Sequence, residues 1–209
     1  MAEPRLRILI VGATGTLGRA VASELGARHE VLRAGRRGPD VAVDFTDPAA
    51  LVRALEGAGP LDAVICAAGH VTFAPLEAFQ PAPLADSAYG VGLKDKLMGQ
   101  VNLALAARDR LKDGGSITLT GGILAEQPIV AGSSASMVNG ALEAFVRAAA
   151  IELPRGLRIN LVSPNVLQES MGDYGPFFRG FEAVPAARAA LAYSRSVEGR
   201  QTGQVYRVF

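Results

Sequence analysis

The feature that most constrains this chain lies near its start. Leu6-Arg-Ile-Leu-Ile-Val is a run of branched apolar residues without polar alternation, and it stops at Gly12-Ala-Thr-Gly15-Thr-Leu-Gly18. Leu17, Val21 and Leu25 then recur at helical spacing. This pattern predicts a strand buried on both faces, a tight turn, and a helix that begins inside the turn. The helix N-terminus offers unpaired N–H groups and the positive end of its dipole, an environment for an anion such as a pyrophosphate. Each glycine has its own task there: Gly12 turns the chain, Gly15 lets backbone approach phosphate, and Gly18 lets helix pack on strand.

The rest of the chain alternates in the same way. Residues 30–34 and 41–44 read as short second and third strands. Asp47 and Pro48 open a helix as N-cap and first-turn proline. Residues 61–66 form a fourth strand that ends in the small residues Ala67, Ala68 and Gly69. Residues 70–85 hold Pro75, Pro81 and Pro83 and read as a loop. Residues 86–111 read as one long, mostly helical stretch, 114–120 as the fifth strand and 134–153 as a second long helix with a broad apolar face. Residues 158–163 give the sixth strand, stopped by Pro164. A loop with Tyr174, Phe177, Phe178 and Phe181 follows, then a helix over 185–197 and a strand over 204–208. The expected architecture is α/β: a Rossmann-like, doubly wound, seven-stranded parallel sheet in three layers, as a single domain over residues 1–209.

Composition narrows the function classes. At 209 residues, 49% hydrophobic, 20% charged and net charge +1, the chain has no global charge that calls for nucleic acid or an anionic membrane surface. No apolar run approaches the ~20 residues that span a bilayer. Met1-Ala-Glu-Pro-Arg leads straight toward the first strand, without room for a signal peptide. The lone Cys66 makes no internal disulfide and reads as a buried, inert thiol; a cytoplasmic location is the expectation. No metal-ligand cluster and no Gly-x-Ser-x-Gly elbow occur.

Cofactor choice is written at the end of the second strand. An acid there would accept from the adenosine ribose 2′-hydroxyl, whereas arginine accommodates a 2′-phosphate. Val31 to Pro39 contains no acid and does contain Arg36 and Arg37, which argues for NADP(H) over NAD(H).

Several further segments resemble the short-chain dehydrogenase/reductase family, and the likeness runs through nearly the whole chain. Gly12 to Gly18 resembles its cofactor turn, with the middle glycine placed as in extended and atypical branches. Asp44 resembles its adenine-contacting acid, and Cys66-Ala-Ala-Gly69 its Asn-Asn-Ala-Gly motif. Arg158-Ile-Asn-Leu-Val-Ser-Pro-Asn165 resembles its sixth strand and Pro-Gly turn, with Asn165 in place of the glycine, and Thr202 to Tyr206 its last strand. The resemblance implies cofactor contacts from Gly12, Thr14, Gly15, Thr16, Leu17, Gly18, Arg36, Arg37, Asp44, Phe45, Ala67, Ala68, Gly69, Pro164 and Val166.

The departure lies at the chemistry. The family uses a Tyr as general acid/base, a Lys four residues later, a Ser about 13 residues before the Tyr, and an Asn in the preceding long helix. Aligned without gaps, the Tyr position is Ala135, the Lys position Asn139, the Ser position Gly122, and the Asn position falls near Lys96. Taking Ser133 and Met137 instead restores nothing, because methionine does not titrate. Lys96 could face the crevice as acid or anion anchor, or lie with Lys94 and Asp95 on a solvated face. Asn139 could hydrogen-bond a nicotinamide ribose. Ser133, Ser134 and Ser136 could supply a hydroxyl or cap their helix, His70 could titrate at the crevice edge, and Tyr174 with its phenylalanines could cover a substrate.

Two functions follow. One is an NADP(H)-binding oxidoreductase acting on a small carbonyl or alcohol with a non-standard proton donor. The other is a degenerate scaffold serving as nucleotide sensor, interaction protein or non-redox enzyme. The apolar faces of the two long helices resemble those through which relatives pair, so a homodimer or homotetramer is expected.

Overall fold

The computed structural model describes residues 4–209; the reading of residues 1–3 as a leaderless start lies outside them. The chain begins with β1 (Arg7–Val11), α1 (Thr16–Gly26), β2 (Glu30–Gly35), β3 (Val41–Ala42), α2 (Pro48–Ala58) and β4 (Leu61–Cys66). Then come α3 (Tyr89–Gly92), a π-helical turn (Leu93–Met98), α4 (Gly99–Arg108), β5 (Leu111–Thr120) and α5 (Ser133–Glu152). The chain closes with β6 (Arg158–Pro164), α6 (Met171–Tyr174), α7 (Ala186–Glu198) and β7 (Val205–Val208). Seven strands form one parallel sheet in the order β3-β2-β1-β4-β5-β6-β7.

Alternate residues of β1 feed opposite layers. Leu9 and Val11 join a core with Leu51 and Leu55 of α2, Leu103 of α4, and Val138 and Leu142 of α5. Ile8 and Ile10 join one with Val21 and Leu25 of α1 and Ala189, Tyr193 and Val197 of α7. A parallel sheet covered on both faces needs apolar side chains on both sides of its central strands, hence the unbroken run in β1. The strand order reverses between β1 and β4, so the loops after them part and open a crevice at the C-terminal edge of the sheet.

Several boundaries differ from expectation. The stretch 86–111 is not one helix: α3, the π-turn and α4 succeed one another, α4 stops at Arg108, and Leu111 pairs with Leu61 as the start of β5. Leu111 is buried in the core, which draws it into the sheet, and a register shift absorbs the residues before Ser116. The third strand stops at Ala42, because Asp44 turns back to accept from the Thr46 N–H at 3.0 Å. The loop over 70–85 carries one 3₁₀ turn, Leu76–Ala78, and the aromatic loop includes the short α6. α5 begins at Ser133 with Gly132 as N-cap, and no serine side chain caps it. The Oγ atoms of Ser134 and Ser136 are instead buried without a partner among the described residues.

Cys66 is fully buried at the end of β4, where burial pushes its thiol up to about 12, so it stays protonated. Among the described residues, no helix is long and apolar enough to cross a membrane, and no group of His, Cys, Asp or Glu could hold a metal ion.

Candidate functional site

The crevice between the ends of β1 and β4 is a cavity of about 790 Å³. Gly12 stands at φ +83°, and a Cβ there would lie 2.8 Å from the Ala67 carbonyl. The Gly12 N–H donates to the Ala34 carbonyl at 2.9 Å, and the Ala67 N–H to the Val11 carbonyl at 2.8 Å, tying three strand ends into one floor. A Cβ at Gly18 would fall well inside contact with the Gly12 carbonyl, so α1 packs on the turn only because residue 18 is glycine. Gly15 is the N-cap of α1, and no side chain caps that end. The first N–H groups of α1 therefore have no partner within the helix.

At the other end of the cavity lie Arg36, Arg37, Asp44 and Phe45. Arg36 and Arg37 follow β2, are exposed, and make no ion pair among the described residues. Asp40, the nearest acid after them, is taken by Arg33, whose Nε donates to it at 2.9 Å. Hydrogen bonds from the Thr46 N–H and hydroxyl hold the Asp44 carboxyl below the usual range, and the charges of Arg36 and Lys94 add to this. Those bonds use its Oδ1.

Of the residues expected to touch a dinucleotide, Gly12, Thr14, Gly15, Arg36, Arg37, Asp44, Phe45, Ala67, Ala68 and Gly69 line this cavity. Pro164 and Val166 line a second one, and Leu17 is buried among Val21, Ile8 and Tyr193. Thr16 and Gly18 form the first turn of α1 but not the cavity wall. The donor set suits a dinucleotide: a glycine floor, an uncapped helix N-terminus and two guanidinium groups on the same cavity's wall.

The second cavity, about 240 Å³, adjoins the first at Gly69 and His70, which line both. Lys96 lies on its wall and is partly buried. The π-turn carries one residue more per turn than α-helix, a geometry that recurs at functional sites. Within it Lys94 is exposed, whereas Lys96 turns toward the sheet. Its Nζ donates to the Gly121 carbonyl at 2.9 Å and to Asn139 Oδ1 at 2.8 Å. Burial pushes the Lys96 ammonium down to about 8. A lysine so placed titrates near neutrality and has one of its three N–H donors uncommitted.

The neighbours explain the placement. Gly69 has φ +139°, and a Cβ there would lie 2.6 Å from Lys96 Cγ. The His70 N–H donates to Asp95 Oδ1 at 3.0 Å, and its ring Nδ1 lies 3.3 Å from Oδ2, clamping the loop after β4 onto the π-turn. Asn139 Nδ2 donates to the Gly122 carbonyl at 3.3 Å, so both ends of that amide are engaged. A Cβ at Gly122 would lie 3.0 Å from Asn139 Nδ2. Lys96, Asn139, Gly122 and Ala135 thus share one wall. Ser133 lies elsewhere, its Oγ 3.0 Å from the Tyr89 hydroxyl.

Sequence reasoning missed Gly121, whose carbonyl holds Lys96, as well as Asp95, Phe73 and Ser170. The doublet Gly121-Gly122 directly after a strand was the one available signal. Phe73, in a proline-rich loop, gave none.

A family model described as enoyl-(acyl carrier protein) reductase matches residues 12–207. The protein lin1944 from Listeria innocua is 49% identical, with a TM-score of 0.92, over 98% of this chain and 100% of that one. Two more distant structures share the fold. A small-chain dehydrogenase in complex with NADPH is 23% identical, with a TM-score of 0.82 over 98% of this chain and 97% of its own. A dehydrogenase/reductase from Sinorhizobium meliloti 1021 is 21% identical, with a TM-score of 0.80 over 99% of this chain and 94% of its own. With the glycine floor, the strand order and these matches taken together, the chain belongs to the short-chain dehydrogenase/reductase family.

Proposed function

We propose that this protein is an NADP(H)-dependent oxidoreductase that interconverts a small carbonyl compound and its alcohol, with Lys96 as the proton donor and acceptor. The observation that carries the reading is Lys96 itself: a lysine on the wall of the second cavity, packed against Gly69 where the two cavities meet, held by Gly121 and Asn139, with an ammonium lowered to about 8. General acid–base groups work best when they titrate near the operating pH. On the gapless alignment of α5, the family's lysine position is Asn139, and its asparagine position in the preceding helix falls near Lys96. In this chain the lysine and the amide are joined by a hydrogen bond.

When bound, the reduced nicotinamide supplies the hydride. The chain's residues do the rest. The Gly12–Gly18 turn admits the pyrophosphate to the N-terminus of α1. Arg36 and Arg37 pair with the 2′-phosphate, a preference that the NADPH in the small-chain dehydrogenase neighbour supports by analogy. Asp44 has Oδ2 left to accept from the adenine end. Lys96 gives its proton to the substrate oxygen as charge develops there and recovers one in the reverse direction, while Asn139 and Gly121 fix its position.

A degenerate scaffold is the second reading, favoured by Gly122 and Ala135, which have no proton to give. Fluorescence titration with NADPH and NADH, followed by a carbonyl panel read at the nicotinamide absorbance, separates the two. Tight NADPH binding with Lys96-dependent turnover is expected. Binding without turnover across the panel sinks the oxidoreductase reading, and failure to bind either nucleotide sinks the cofactor assignment. We also propose a homodimer or homotetramer, supported by exposed Leu105 on α4 and Met137 and Ile151 on α5. A monomer by light scattering would refute it.

A further inference from the structure

We infer that the second cavity takes a small, uncharged carbonyl compound carrying an aromatic ring, or the matching alcohol, with the ring among Phe73, Tyr174 and Phe178 and the oxygen at Lys96. The inference builds on the oxidoreductase reading above and adds to it the substrate's size, charge and shape.

Size comes first. The cavity measures about 240 Å³. That falls below the ~300 Å³ at which pockets begin to hold drug-sized molecules, and Pro164 and Val166, expected cofactor contacts, share its wall, so beside the nicotinamide it leaves room for a single ring with a short substituent.

The walls decide the shape. Away from Lys96 they are Phe73, Ile123, Leu124, Val166, Tyr174 and Phe178. Each aromatic member is braced by another ring. Phe73 lies 5.6 Å from Tyr174 and 5.3 Å from Phe177, centroid to centroid, and Phe178 lies edge-on to Phe181 at 5.4 Å. Rings fixed in tilted and edge-on arrangements offer a planar guest the offset contacts that aromatic pairs prefer.

Charge is settled by counting what is still free. Lys96 and His70 are the basic side chains lining the cavity among the described residues, and no carboxylate lines it. A cationic substrate would therefore bury its charge unpaired. Both amides on the wall are used: Asn139 bonds Lys96 and the Gly122 carbonyl, while Asn165 bonds the Glu182 carbonyl and the Val166 N–H. A substrate carboxylate would have Lys96 as its only strong partner and would take that ammonium from the carbonyl oxygen. What remains for a polar substituent is the ring Nε2 of His70 and the hydroxyls of Ser170 and Tyr174. The balance of the reduction is simple: the carbonyl carbon receives the hydride of NADPH, the oxygen receives the Lys96 proton, and NADP⁺ and the alcohol leave.

The test measures binding and turnover separately. Benzaldehyde, benzyl alcohol, benzoylformate, benzylamine and crotonyl-CoA are titrated by calorimetry against the protein with and without NADP⁺, and the carbonyl and enoyl compounds are then offered with NADPH. Benzyl alcohol and benzaldehyde are expected to bind at least about tenfold more tightly than the benzylammonium cation, a gap of about 1.4 kcal/mol, and benzaldehyde is expected to be reduced at least about tenfold faster than benzoylformate, whose carboxylate engages the Lys96 ammonium. Phe73→Ala and Tyr174→Ala are each expected to weaken benzyl alcohol by about fivefold or more, with NADPH affinity unchanged as the control for folding. Preferred binding of benzylamine or crotonyl-CoA, or preferred reduction of benzoylformate, overturns the inference, as does indifference to both ring variants. Ring-dependent binding of the neutral compounds without turnover leaves the pocket assignment standing and removes the oxidoreductase reading. Efficient turnover of benzoylformate does the reverse, and efficient turnover of crotonyl-CoA removes both, because the bond reduced there is C=C.

Discussion

Lys96 Nζ and Asn139 Oδ1 lie 2.8 Å apart, the amine on a π-turn and the amide on α5, each residue's other bond running to the Gly121-Gly122 doublet. The contact joins residues separated by 43 positions and fixes where the Lys96 ammonium can stand. Replacing Lys96 by Met keeps much of the stem and removes the proton. Turnover in the reductive direction is expected to fall by about 10²–10⁴-fold, the usual contribution of general acid–base catalysis, with NADPH affinity nearly unchanged. Steady-state kinetics beside a fluorescence titration checks this, and a variant as active as the parent assigns the proton elsewhere.

The pH dependence follows from the same residue. With Lys96 titrating at about 8, the ammonium needed for reduction is present below that value and lost above it. Reductive kcat/KM should fall as pH rises through about 8, and the oxidative rate, which needs the neutral amine, should rise. Stability runs the same way as oxidation: the unfolded chain holds this proton up to ~10.4. Between about 8 and ~10.4 the unfolded state binds more protons, so folding stability gains with pH across that window. Denaturant titrations of parent and Lys96→Met should differ in slope there and run parallel below pH 7.

Asn139→Asp sets a carboxylate beside the ammonium. An opposite charge at this distance favours the charged form, so the descending limb of the reductive profile should move up by about one unit or more. A purely structural role for Asn139 would change the rate and leave the limb in place.

How much of this was legible in the sequence depends on the kind of signal each residue leaves. The Gly12–Gly18 turn, the Arg36-Arg37 pair and the order of elements were readable, because backbone close approach, charge and apolar periodicity are written locally. The side of the helix on which Lys96 stands was not. Lys94, Asp95 and Lys96 are consecutive and all charged, and the π-turn breaks the 3.6-residue period that would have assigned them faces. The His70–Asp95 clamp spans 25 positions and leaves no local trace. The wall built by Phe73 and Phe178 comes from two loops whose meeting depends on the whole sheet. Apolar residues in loops say that something is covered without saying what.

Arg36→Glu tests the cofactor assignment. Loss of one charge-assisted contact and its replacement by repulsion should weaken NADPH by about tenfold to a hundredfold. NADH, which lacks the 2′-phosphate, should change little. Equal losses for both nucleotides would place Arg36 in the loop's folding and remove it from recognition.

The glycine floor makes the last prediction, and it concerns stability. In Gly18→Ala the new methyl meets the Gly12 carbonyl, which is backbone and cannot swing away, so α1 must move off β1. Overpacking of this kind costs about 1–3 kcal/mol. In a domain of this size that corresponds to a Tm lower by about 2–4 °C for each kcal/mol. NADPH binding should weaken with it, because the same shift carries the N-terminus of α1 away from the crevice. Gly140→Ala is the matched control. Gly140 lies inside α5 with open space where its Cβ would go, so alanine there should stabilise by about 0.5–1 kcal/mol. Calorimetric melts of both variants check the pair. A Gly18→Ala protein as stable as the parent, with NADPH affinity intact, would mean that the close approach of α1 to the turn is not needed to form the crevice.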